Sequence, residues 1–99
     1  MSQPPLPQVL EGLLDAPTLA ALFDDVGATG GLLGVVIKQG RQASPPRGAS
    51  ALGAARDALR EGRATAVQLR YRHDGREWWD TVMTAGPGAW RLVRIAHEV

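Results

Sequence analysis

Hydrophobic positions along the chain switch between a helical period of about 3.6 and a strand period of 2, and the switches mark out the elements. Val9, Leu10, Leu13 and Leu14 follow Pro7 at helical spacing and predict a short helical turn. In DAPTLAALFDDVG, Leu19, Leu22, Phe23 and Val26 share one helical face. Asp15 is placed to cap that helix, Pro17 suits its first turn, and Gly27 suits the left-handed position past its end. GGLLGVVIKQG is apolar almost throughout and reads as a strand covered on both faces or held at the centre of a sheet, with Gly34 marking a bulge or a close backbone approach. GRQASPPRGAS, rich in Gly, Pro and Ser, reads as a flexible loop.

ASALGAARDALREG returns to helical spacing, with Leu52, Ala55 and Leu59 as a narrow apolar stripe, Ser50 as cap and Gly62 as stop. TAVQLRYRH then alternates, Asp74-Gly75 is a strong two-residue hairpin signal, and REWWDTVMT is the return strand. TAGPGA makes a second turn before a third strand, WRLVRIA. Helices are expected near 17–26 and 50–61, and strands near 31–38, 65–73, 76–84 and 90–96. The order α-β-α-β-β-β predicts a two-layer α+β fold, a three- to four-stranded, mostly antiparallel sheet with two main helices on one face. A single domain over residues 8–99 follows a disordered tail, residues 1–7, that holds three prolines.

The two-residue turn at Asp74 and Gly75 sets the hairpin register, since loop length determines pairing. Tyr71 should face Trp78, Leu69 should face Asp80, and Val67 should face Val82. On the other face Arg72 meets Glu77, Arg70 meets Trp79, and Gln68 meets Thr81. Val67, Leu69, Tyr71, Trp78 and Val82 form the side to be buried, because full-sized apolar groups contribute about 1.5–3 kcal/mol each when covered. That makes Trp78 a core residue and leaves Trp79 outward among polar neighbours. Arg70 can stack on the Trp79 indole, and Arg72 with Glu77 can form a cross-strand ion pair. The same register points Asp80 inward, where a lone carboxylate costs on the order of several kcal/mol unless it is paired. A bulge, a helix terminus or an arginine would resolve that conflict.

Charge divides unevenly. Residues 1–40 hold one Lys and four acids, and residues 41–99 hold ten Arg and six acids. Arginine suits anion recognition and stacking on aromatic rings, although a base composition rich in G and C would favour Arg, Ala and Gly together. The absence of cysteine excludes disulfides and thiolate metal sites. The two histidines are 24 positions apart and belong to no metal or triad motif, and no P-loop, GxSxG, HExxH, GxGxxG or EF-hand pattern is present. No cofactor and no metal are therefore expected. MSQPPLPQ has no basic start and no long apolar stretch, which leads to the expectation of a soluble, cytoplasmic protein without a membrane association.

What remains is a surface. Arg70, Arg72, Glu77 and Trp79 on the outward hairpin face, with Arg41 and Arg47 in the loop, are the candidate binding residues. Trp, Tyr and Arg dominate interface hot spots, so the leading expectation is a small non-enzymatic binding or adaptor module that docks a protein partner or a second copy of itself. The alternative is a weak nucleic-acid binder using the same face, with Trp79 as a stacking platform. A third, an enzyme centred on Asp80, has no second catalytic group at a recognisable spacing.

Overall fold

The computed structural model describes residues 8–40, 42–44 and 51–98. The elements are β1 (Gln8–Leu14), α1 (Ala16–Ala28), β2 (Leu32–Gln39), β3 (Gln42–Ser44), α2 (Ala51–Arg60), β4 (Ala66–His73), β5 (Arg76–Thr84) and β6 (Trp90–Glu98). They build an α+β fold: one sheet in the order β1-β6-β5-β4-β2-β3, antiparallel at every pairing, with both helices against the same face. The sheet is wider than the predicted three to four strands. It gains β1 at one edge and the three-residue β3 at the other. No helix among the described residues is long and apolar enough to cross a membrane.

The first correction concerns the expected helical turn after Pro7. Residues Gln8–Leu14 are a strand that pairs one-to-one with β6, from Gln8 opposite Ala96 to Leu14 opposite Trp90. Seven residues interrupted by Gly12 make a poor isolated helix, whereas β6 offers a full row of backbone partners. Leu13, 75% exposed, accounts for the misleading spacing. It lies on the uncovered side of an edge strand, so the apolar positions of β1 do not report one buried face.

Helix α1 starts as expected, with the Thr18 N–H donating to Asp15 Oδ1 at 2.9 Å. Hydrogen bonding from Thr18 holds the Asp15 carboxyl below its usual pKa. Leu19, Leu22, Phe23 and Val26 are buried. The end differs: Gly27 lies inside the helix, and the C-cap is Thr29 in a right-handed conformation. The Thr29 hydroxyl donates to the Val26 carbonyl at 2.7 Å, and Gly30, with φ of 69°, takes the left-handed position just past the cap that the pattern gives to Gly27. Gly27 instead permits close packing of α2, since a Cβ there would lie 3.3 Å from Leu52 Cδ1.

Strand β2 has the bulge anticipated at Gly34, as its register against β4 shifts between Leu32 and Gly34. It lies inside the sheet, between β4 and β3, and is not covered on both faces. Val35 and Ile37 are buried, while Leu32 and Leu33 are exposed, because the helices cover one side only. Part of the expected loop is the strand β3; Arg41, Arg47 and Ser50, like the tail residues 1–7, lie outside the described residues. Helix α2 buries Ala55, Ala58 and Leu59, and Gly62, with φ of 73°, takes the chain out of it.

The β4–β5 hairpin has the predicted register at every position. Asp74 and Gly75 are both left-handed, with φ of 53° and 75°, which matches the right-handed twist of the strands. Strand β6 adds Leu92, opposite Val82, and Trp90, opposite Thr84, to the covered face. Trp90 is a buried aromatic of the core, its Nε1 donating to the Leu59 carbonyl at 3.4 Å. The hairpin pattern had singled out Trp78 for that role; Trp78 is half-buried, packed at the margin of the core.

Candidate functional site

The central strands β4, β5 and β6 carry different chemistry on their two faces. On the face away from the helices, the register aligns Arg70, Trp79 and Ile95 in one row across the three strands. Gln68, Thr81 and Val93 form a second row, and Arg72, Glu77 and His97 a third. Alternation along each strand places these side chains outward, and neither α1 nor α2 covers them.

Trp79 is the centre of this face. The Arg70 guanidinium lies 4.2 Å from the Trp79 ring centroid, and its Nε donates to Gln68 Oε1 at 3.1 Å. From the strand on the other side, His97 approaches to 4.5 Å between ring centroids, tilted by 49°. The Trp79 indole N–H donates to Glu77 Oε2 at 2.6 Å. The expected Arg72–Glu77 ion pair does not form: the two are register partners, but the Glu77 carboxylate serves the indole, and Arg72 makes no ion pair among the described residues. A neutral N–H at 2.6 Å offers a shorter link than a long exposed arginine, whose surface pairing contributes no more than about 1 kcal/mol. Arg70, Trp79 and Glu77 are thus one assembly, with Arg72 beside it. Arg91 extends the same face, bridging to Glu11 on β1 at 2.9 Å.

On the covered face, Asp80 has no exposure at all. It faces Arg94 directly across β5 and β6, and Tyr71 reaches it diagonally from β4. Arg94 donates from Nε to Oδ1 at 2.9 Å and from Nη2 to Oδ2 at 2.8 Å, while the Tyr71 hydroxyl donates to Oδ2 at 2.9 Å. An arginine, one of the three resolutions open from the sequence, is therefore the partner. Burial, and then the Asp80 charge, push the Tyr71 hydroxyl well above its ordinary pKa, with Arg94 opposing. Hydrogen bonding to Asp80 raises that of Arg94 against the effect of burial, and the charges of Asp80, Tyr71 and Asp25 add to it.

The sequence pattern missed two members of this cluster. It assigned no role to Arg94, and it gave Tyr71 a purely apolar one. No group of three or more metal-ligating side chains occurs among the described residues. No family model, no curated protein and no solved structure matches the chain.

Proposed function

We propose that the chain is a small non-enzymatic docking module that binds a protein partner through the uncovered face of β4, β5 and β6. One observation carries this reading: Trp79 lies on the sheet face that neither helix covers, with Arg70, Glu77 and His97 all in contact with its indole. A large side chain whose rotamer is already restricted loses little entropy on binding, and Trp with Arg is the combination that anchors interfaces. Val93, Ile95, Thr81 and Met83 share its face of the sheet as a mixed apolar and polar patch.

The nucleic-acid alternative draws less support from the same geometry. A base needs a free aromatic face, and the indole is flanked by Arg70 on one side and His97 on the other. An Asp80-centred enzyme is likewise disfavoured, since both carboxylate oxygens already accept charge-assisted or hydroxyl hydrogen bonds.

The test is to place a photo-crosslinking residue at Thr81, recover the attached protein from native cells, and measure its affinity for the purified chain. Trp79→Ala should weaken binding by about 30-fold or more, mainly through faster dissociation, and Arg70→Ala by less. Unchanged affinity in both variants rejects the docking face. A steep fall of affinity for single-stranded RNA or DNA with salt, its logarithmic slope reduced by about 0.7–0.9 in Arg70→Ala, would establish the nucleic-acid reading instead.

A further inference from the structure

The helices leave one corner of the covered face open. Where α1 ends, a cleft of about 300 Å³ lies between the helix and the sheet, lined by Asp25, Val26, Ala28 and Thr29 from the helix side and by Tyr71, His73 and Arg94 from the strands. That volume is at the lower end for small-molecule sites and suits a ligand of amino-acid size.

Arg94 brings a prepared donor to this cleft. Asp80 grips its Nε and Nη2, which fixes the guanidinium plane, and Nη1 has no hydrogen-bond partner among the described residues. The side chain is 28% exposed, so this end of the clamp is reachable. A ligand oxygen is the complementary group, because arginine offers donors only. The charge balance then narrows the ligand. Asp80 neutralises Arg94, Asp25 adds a second carboxylate, and the C-terminal end of α1 adds a partial negative charge. A phosphate or a lone carboxylate would meet net repulsion. A simple amine would leave the Arg94 donor unmet. A molecule bearing both an oxygen acceptor and a cation answers both demands, and Val26 with Ala28 offers apolar wall to a hydrocarbon side chain.

We propose that this cleft binds a small zwitterion of the α-amino-acid class, its carboxylate on Arg94 and its ammonium toward Asp25 and the C-terminal end of α1. The site is separate from the docking face, which lies on the other side of the sheet, so the two proposals stand or fall independently. A preformed cleft of this size should bind such a ligand with a Kd on the order of 1 mM.

The experiment is a titration of the isotope-labelled full chain, followed by amide chemical shifts, with L-valine, L-valinamide and N-acetyl-L-valine. L-valine should give saturable shifts at Thr29, Tyr71, His73 and Arg94. The amide and the acetylated compound, each lacking one charge, should bind at least about tenfold more weakly, the loss of one charge-assisted contact. Asp25→Asn, at an exposed position that leaves the core intact, should weaken L-valine binding about tenfold, while Asp24→Asn on the same turn should not change it. The proposal is overturned if L-valine gives no saturable shifts, if shifts fall outside the cleft, if the three compounds or inorganic phosphate bind equally well, or if Asp25→Asn binds L-valine as the parent does.

Discussion

Arg94 and Asp80 meet side-on across β5 and β6, two nitrogens of the guanidinium on two oxygens of the carboxylate at 2.9 and 2.8 Å. Asp80 is fully enclosed and Arg94 is partly so. Removing a charge of this kind from water costs several kcal/mol, and only the close bidentate geometry with the Tyr71 hydroxyl offsets it. The pair is a conditional element of the core, satisfactory when complete and unfavourable when halved.

The consequence is a coupling between the two residues. Asp80→Asn and Arg94→Met should each lower stability by about 3 kcal/mol, because each strands the other member in a low-dielectric site. The double variant should lose clearly less than the two losses combined, with a coupling of at least about 1.5 kcal/mol. Urea denaturation of the four proteins measures it. Additive losses would mean the two groups act independently.

Tyr71 gives a direct optical test, since the chain contains one tyrosine. Its pKa is raised from an ordinary value of 10.0 by burial and by Asp80. Between the unfolded and the folded pKa the native state binds one more proton than the unfolded state, so stability falls as pH rises above about 10. Below that pH the contribution is fully present. The tyrosinate absorbance of the folded protein should therefore lag that of a model tyrosine, and Tyr71→Phe should flatten the alkaline loss of stability. Tyrosinate formation at the ordinary pKa in folded protein would disprove the enclosed hydrogen bond to Asp80.

How much of this was legible in the sequence depended on the turns. Asp74-Gly75 permits two residues in left-handed conformation and nothing longer, so every β4–β5 pair could be assigned, including inward Asp80 and outward Trp79. The next turn joins Thr84 to Trp90 through residues 85–89, where Gly86 and Gly88 both have positive φ. A loop of that length and composition is compatible with several registers, and each one-residue slip exchanges Arg91 for a neighbour on the other face. That is why the partner of Asp80 could not be named. Strand β1 was hidden for a different reason. Its pairing partner β6 lies some eighty positions away, and no local pattern records a contact at that distance.

A further prediction concerns the connection from α1 to β2. The Gly31 carbonyl accepts from the Arg72 N–H at 2.8 Å, and a Cβ on Gly31 would collide with the Arg72 carbonyl oxygen. The obstacle is backbone held in the sheet, so it cannot swing aside. Gly31→Ala should cost at least about 2 kcal/mol, as overpacking against rigid structure does. Gly30→Ala, where φ is 69° and space is open, should cost only about 1 kcal/mol through backbone strain. Equal losses in thermal or urea melts would show that the chain relaxes around position 31.

The three tryptophans separate core, margin and surface, and their truncations should rank accordingly. Trp90 is buried in the core and its N–H donates to α2, so Trp90→Ala should cost about 3–5 kcal/mol and come close to unfolding a domain of this size. Trp78 packs at the core margin, with its N–H on the His73 carbonyl at 3.1 Å, and its loss should cost about 2–3 kcal/mol, less because the space left opens partly to solvent. Trp79 lies on the uncovered face, held by a cation–π contact that contributes about 0.5–1 kcal/mol and by one hydrogen bond to an acid that can turn to water. Trp79→Ala should therefore cost about 1 kcal/mol. In a double-variant cycle with Arg70→Ala, the stacking should appear as a coupling of about 0.5–1 kcal/mol. The ranking is checked by chemical denaturation of the three single variants under one set of conditions. If Trp79→Ala proved as damaging as Trp90→Ala, the indole would be part of the stability of the sheet, and a loss of partner binding in that variant would then say nothing about the docking face.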